Sequence, residues 1–153
     1  MTEQYLNNTE INKTVTIHAS ASKVWDTLTN PELIKRWIVD DEVEVITNWK
    51  VGNPIIFRGS LHWINFENKG TIQQFEPEKV FQYNYLSSLS NLPDIPNNYT
   101  SIRFVLSSAE GKTELMLTLS NFPDEVIRKH LDFYWNVTLG ILKNLCELLV
   151  KKP

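Results

Sequence analysis

The sequence predicts an α+β domain: a curved antiparallel sheet of about six to seven strands wrapped around one long C-terminal helix. Three observations carry this prediction. From Asp124 to about Val150, apolar residues recur at steps of mostly three and four. Between Glu42 and Ser120, short segments alternate apolar and polar residues and are separated by tight turns. Two short helical segments stand between the first strand and the rest.

The C-terminal helix comes first because it needs the most surface. Val126, Leu131, Tyr134, Val137, Ile141, Leu142, Leu145, Leu148 and Leu149 are expected to form one stripe. Lys129, Asp132, Asn136, Lys143, Asn144 and Glu147 fall mostly between them. Pro123 suits the start of the helix, where its missing N–H does least harm. Asp124 and Glu125 at one end and Lys151 and Lys152 at the other complement the helix dipole. Such a helix is about 40 Å long and must bury its stripe against something of equal length.

At the other end of the chain, Lys13 to His18 alternates as a strand. Ser20 caps a helix over Ala21–Leu28, with Val24, Trp25 and Leu28 on its apolar face. Asn30-Pro31 restarts the chain as cap and first helical residue, so Glu32–Trp37 is a second short helix. Strands follow at Glu42–Thr47, Ile55–Trp63, Thr71–Phe75, Val80–Leu86, Tyr99–Leu106 and Lys112–Ser120. Gly59 marks a bulge or a close approach within its strand. Ser87–Asn98 is a polar loop. The tight turns imply antiparallel pairing.

Composition narrows the function classes. A chain of 153 residues fits one domain, here placed at 13–151 behind a loose lead-in at 1–12. Five Trp, five Tyr and seven Phe must enter a core or line a cavity, and an ordinary packed core accounts for them as well as a pocket does. A net charge of -3 gives no footprint for nucleic acid or an anionic membrane. Cys146 is the one cysteine, which fits a reducing compartment. No apolar run approaches the ~20 residues that span a bilayer. The expectation is a cytoplasmic protein, not inserted in a membrane.

Several stretches taken together carry a resemblance. They are Pro31-Glu32-Leu33-Ile34-Lys35-Arg36-Trp37, Trp49-Lys50-Val51-Gly52, Phe57-Arg58-Gly59, Lys69-Gly70-Thr71-Ile72, and Phe75 through Tyr83. Thr113 to Leu119, Tyr134-Trp135 and Leu139 to Leu145 complete the series. In order and spacing they resemble the bacterial activator of heat-shock-protein-90 ATPase homologue-like family, of the START/Bet v allergen (SRPBCC) superfamily. The resemblance covers about residues 13 to 150. It implies the helix-grip fold and a hydrophobic cavity between sheet and C-terminal helix, used by relatives for lipids, sterols or polyketides. The family name also implies a stress-response role and a possible chaperone partner.

The expected lining follows from strand parity and the helix stripe. Trp37, Phe57, Trp63, Tyr83, Tyr85, Phe104 and Leu117 come from the body of the chain, and His130, Tyr134, Val137 and Ile141 from the helix. No catalytic residue, cofactor or metal is expected. His18, His62 and His130 lack metal-ligand spacing. Arg58, His62 and Arg103 are read as outward by parity, unless a bulge near Gly59 turns His62 inward. His130 faces either the cavity mouth or, more simply, solvent. Asp40-Asp41-Glu42 is either a cation site or a solvated connection. Cys146 has no basic neighbour in sequence and is read as structural. The leading expectation is binding of a small apolar or amphipathic molecule. One alternative is a polyketide cyclase or hydrolase-like enzyme using a tyrosine with His130. Another is a chaperone-binding module acting through the outer sheet face. The protein is expected to be a monomer or a homodimer, the latter through an edge strand.

Overall fold

The computed structural model describes residues 9–38, 41–61 and 63–151. Strand β1 (Ile11–Ile17) is followed by helices α1 (Ala21–Thr29) and α2 (Pro31–Trp37). Strands β2 (Asp41–Thr47), β3 (Pro54–Leu61), β4 (Ile64–Glu76) and β5 (Val80–Ser87) come next. After two 3-10 turns, β6 (Thr100–Ala109) and β7 (Lys112–Ser120) lead to α3 (Glu125–Lys151). The strands form one antiparallel sheet in the order β1-β7-β6-β5-β4-β3-β2. Consecutive strands β2 to β7 pair as hairpins, while β1 crosses to the far edge and pairs with β7. This is the predicted curved sheet with a long C-terminal helix.

Alternation builds the inner face. Ile102, Phe104 and Leu106 on β6 and Leu115, Leu117 and Leu119 on β7 are buried, and Phe104 lies opposite Leu117. Phe81 and Tyr83 on β5 and Ile55 and Phe57 on β3 extend the same layer. The turns are made by left-handed residues. Glu110 and Gly111, at φ 52° and 79°, form the two-residue link between β6 and β7 that a type I′ hairpin requires. Asn30 serves two helices: its amide donates to the Asp26 carbonyl, and its side chain accepts from the Glu32 amide.

The buried stripe of α3 is Leu131, Trp135, Thr138, Leu139, Leu142, Leu145 and Cys146. This corrects the expected stripe, which merged two faces of the helix. Val126, Val137, Ile141 and Leu148 are exposed on the opposite side. The start is also shifted, since Asp124 lies outside the helix and its carboxylate accepts from the Ile127 amide at 2.8 Å. Lys13 holds α3 to β1 through Asp132 at 2.5 Å and Asn136 at 2.6 Å. Farther along, the Glu147 carboxylate accepts from the His18 amide at 2.8 Å and from Lys143 at 2.5 Å.

Two further expectations need correction. β3 ends at Leu61, which pairs with Ile64, so Trp63 is a turn residue at φ 71° rather than a strand residue. The β3–β4 ladder runs unbroken through Gly59, opposite Phe66, while on its other side the β2–β3 register shifts between Asp41 and Glu44, opposite Gly59, where the irregularity was expected. A close backbone approach lies at Gly70. A Cβ there would sit 1.7 Å from the Asn84 carbonyl oxygen, beside an irregularity in the β4–β5 register. β4 is much longer than the predicted Thr71–Phe75 because Asn65 to Gly70, though polar, pairs with β3. The lead-in at 1–8, Asp40, His62 and Lys152 lie outside the described residues, as do the side chains of Asp41 and Glu42.

Two tests follow from these contacts. Gly70→Ala forces β4 away from β5 and is expected to cost about 3 kcal/mol, read as a lower urea midpoint. The Glu147 carboxyl is held below its ordinary value of 4.5, first by the His18 amide and then by Lys143. A carboxyl with a lowered folded pKa stabilises the fold above its unfolded value and loses that contribution as pH falls through the folded value. The stability gap between wild type and Glu147→Gln should therefore be full at neutral pH and shrink below about pH 4.5, measured by urea titration at each pH.

Candidate functional site

Between the sheet and α3 lies a packed cluster of aromatic rings. Trp135 projects inward from α3 and meets Trp37 of α2 at 6.2 Å, Phe104 of β6 at 5.7 Å and Tyr134 at 5.4 Å between ring centroids. Phe104 stacks on Phe81 at 6.1 Å, and Phe81 adjoins Tyr83 at 5.3 Å. Tyr83 in turn meets Phe57 at 5.5 Å. A second group of rings, Trp25, Trp49 and Phe75, closes the far side against Phe81. The Trp37 indole N–H donates to the Thr27 carbonyl at 2.8 Å, which fixes its ring between α1 and α2.

The polar atoms among these rings are few. Burial pushes the Tyr83 phenol well up, and the neighbouring Tyr85 and Tyr134 push it further. Tyr85 is raised by the same burial and by Tyr134. All three phenols are thus close enough to sense one another. Tyr83 and Tyr85 stay neutral at physiological pH, able both to donate and to accept a hydrogen bond. The Thr138 hydroxyl, on the inner face of α3, is buried without a hydrogen-bond partner among the described residues. Cys146 is buried too, and its thiol is pushed up by that burial, which makes it a poor nucleophile.

The expected lining residues divide into three groups. Trp37, Phe57, Tyr83, Phe104 and Leu117 are buried in the hydrophobic core, and Tyr85 and Tyr134 are half-buried. Trp63 is 99% exposed, because the second position of a two-residue turn leaves the ladder that parity arguments assume. His130, Val137 and Ile141 are exposed because α3 presents its other face inward. His130 lies 6.2 Å from Tyr134 between ring centroids but on the solvent side, so no buried tyrosine–histidine pair forms. Sequence reasoning missed Trp135 and Thr138. The stripe Leu131, Trp135, Leu139, Leu142, Cys146 was available at steps of four, four, three and four, and it holds the largest residue on the helix.

The outer face of the sheet differs in character. A hollow of about 390 Å³ lies beside Lys69, Gly70, Asp94 and Tyr99. Lys69 pairs with Asp94 at 2.7 Å, and the Tyr99 hydroxyl donates to Asp94 at 2.6 Å. These contacts hold the Asp94 carboxyl below its ordinary range and pin the loop before β6 to the sheet. A second hollow, of about 540 Å³, surrounds Arg58 and Glu67, which pair at 2.8 Å. Arg58 is outward, as its parity indicated.

A family model described as Activator of Hsp90 ATPase homolog 1-like protein matches residues 18–147. The chain belongs to this family. Among solved structures, ChR145 from Cytophaga hutchinsonii is 33% identical, with a TM-score of 0.79 over 95% of this chain and 98% of that one. The Aha1 dimer from Colwellia psychrerythraea is 23% identical, with a TM-score of 0.71 over 91% and 96%. DynU16, a putative protein in the dynemicin biosynthetic locus, is 16% identical, with a TM-score of 0.70 over 90% of this chain and 47% of that one. The last two share the fold. No curated protein matches the sequence. Among the described residues, no helix is long and apolar enough to cross a membrane.

The two misread tryptophans give a direct contrast. Trp135→Ala should cost about 3–5 kcal/mol in a urea melt, the usual range for a large buried ring. Trp63→Ser should change stability by no more than about 0.5 kcal/mol, as an exposed substitution does.

Proposed function

We propose that this family member binds a small apolar or amphipathic molecule between the sheet and the first half of α3, without transforming it. The observation behind this reading is the gathering of the Tyr83, Tyr85 and Tyr134 phenols in an otherwise aromatic and aliphatic chamber. A core that needed only to pack would be filled as well by phenylalanine at Tyr83 and Tyr85, so the phenols there offer hydrogen-bonding capacity beyond what packing requires. The Thr138 hydroxyl, buried without a hydrogen-bond partner among the described residues, adds to it. Apolar walls with a few convergent polar groups are the usual form of a small-molecule site. A ligand would enter by displacing the half-buried rings at the rim, Tyr85 and Tyr134, and its polar end would bond to the phenols. The occurrence of this fold in a putative protein of a biosynthetic locus agrees with a small-molecule ligand.

A second reading rests on the outer face. The family description names an Hsp90 ATPase activator. The hollows beside Asp94 and beside Arg58 offer a polar, half-exposed surface of the kind a chaperone contact would use. Purified bacterial Hsp90 retained on the immobilised protein, and released by Arg58→Glu, would favour this reading.

The leading reading is tested by thermal melts against fatty acids, sterols, flavonoids and aromatic polyketides. A true ligand at about a hundred times its dissociation constant adds ~2.7 kcal/mol, a rise of roughly 5–10 °C for a domain of this size. Tyr83→Phe combined with Tyr85→Phe should weaken that ligand about tenfold if it carries a polar end, in line with the loss of one hydrogen bond. A panel in which no class raises the melting temperature would sink the proposal.

A further inference from the structure

We propose that Asn68 is a ligand-contacting residue of the site between the sheet and α3, and that the ligand's polar end is a neutral hydroxyl rather than a carboxylate. This rests on the reading above, that a small molecule enters between the sheet and α3. It adds a residue and a chemical class.

The strand registers place Asn68 on the inner face. It lies directly opposite Phe57 on β3 and Ser87 on β5. Directly opposed residues of an antiparallel pair project to the same side of the sheet. Phe57 is buried in the core, and its ring meets Tyr83 at 5.5 Å. Tyr85 stands two residues before Ser87 on the same strand and shares its side. The next pair along gives the opposite check. Arg58 lies opposite Glu67, and the two meet at 2.8 Å on the outer face. Asn68 is therefore an inward amide on the strand next to the phenols of Tyr83 and Tyr85.

Asn68 is half-buried, and its Oδ1 is fully buried without a hydrogen-bond partner among the described residues. Asparagine is a poor strand former, and a buried polar atom left unpaired costs stability. An apolar side chain opposite Phe57 would carry neither cost. What the amide supplies instead is an acceptor and two donors beside aromatic walls.

These groups select by charge as well as by shape. Asn68, Tyr83 and Tyr85 are neutral, and each can both donate and accept. A hydroxyl matches them, since it donates to Oδ1 and accepts from an amide N–H or a phenol. A carboxylate has no hydrogen to give Oδ1, and its burial is costly without a cation. The cations bordering the interior are engaged elsewhere. Lys13 is held by Asp132 and Asn136 beside β1, which is separated from β4 by β7, β6 and β5. Arg128 pairs with Glu125 at 3.8 Å and lies over the Phe122 ring. Arg58 and Lys69 are paired with Glu67 and Asp94 on the outer face.

The test uses matched probes that differ only in the polar end: 1-dodecanol with dodecanoate, and 2-naphthol with 2-naphthoate. Each is titrated calorimetrically into the protein at pH 7, where the acids are anions. In the wild-type protein, at least one alcohol should bind at least tenfold more tightly than its acid. Asn68→Val removes the amide and suits a strand. It should weaken that alcohol about five- to tenfold, the loss of one neutral hydrogen bond. The melting temperature of the unliganded variant should stay level or rise, whereas loss of a structural asparagine would lower it. An acid bound as tightly as its alcohol, an alcohol indifferent to Asn68→Val, or a lowered melting temperature would each overturn this assignment and leave ligand binding standing. Silence of all four probes, like silence of the wider panel, would remove the reading on which it rests, and this assignment with it.

Discussion

Trp135 reaches from α3 to Trp37 on α2 and to Phe104 on β6, so a single ring joins the long helix, the short helices and the sheet. The position of that ring sets the rotation of α3 about its own axis. With Trp135 inward, Leu131, Leu139 and Leu142 follow it into the core, and Val126, Phe133 and Val137 are carried out to solvent. The polar ties agree with this rotation. Lys13 can reach Asp132 and Asn136, and the His18 amide can reach Glu147, only because those acceptors lie along the edge of the helix next to β1.

Once α3 is seated, the interior holds two kinds of surface. Around Trp25, Trp49, Phe75 and Phe81 the rings meet edge-on or tilted, with no phenol among them, as a core does. Toward Tyr83, Tyr85 and Tyr134 the walls stay aromatic but carry hydroxyls, and burial pushes the phenols of Tyr83 and Tyr85 well above their ordinary range. The first region has every mark of structural packing. The second combines burial with hydrogen-bonding capacity, which is the chemical basis for recognising a molecule with an apolar body and a polar end. It also separates binding from catalysis. Neutral phenols far from titration orient a ligand well but make weak general bases near neutral pH.

Most of the fold was legible because it rests on period-two alternation and on punctuation by glycine, proline and asparagine. β6 and β7 carry a large apolar residue at every second position from Ile102 to Leu106 and from Leu115 to Leu119, and Asn30-Pro31 marks the break between two helices through local capping alone. The phase of α3 was not legible in the same way. The helix is apolar on two faces, and periodicity alone cannot say which faces the sheet. Trp63 was misplaced because a strand and the turn that ends it can share one apolar pattern, while the left-handed backbone that separates them leaves no mark in a tryptophan. The polar half of β4 was passed over because its hydrogen bonds are made by backbone, which hydropathy does not record. Of the aromatic cluster, the buried rings Phe57, Tyr83 and Phe104 on the sheet were found by parity. Trp135 and Thr138 were lost with the helix phase.

The pairing of β1 with β7 has a consequence for how the chain is made. Ile11 finds its partner at Leu119 and Ile17 at Thr113, so β1 leaves the ribosome about a hundred residues before the strand it pairs with. At ~5–20 residues per second, several seconds separate their synthesis. During that interval β2 to β6 can zip up as successive hairpins, each closing a short loop, while β1 and the α1–α2 pair trail with no sheet edge to join. The closing step then brings together β1, β7 and α3, and it carries most of the loop-closure entropy of the fold. Completion of this domain is thus tied to the emergence of α3, and a chain truncated before α3 would leave Leu115, Leu117 and Leu119 facing water at the tunnel exit.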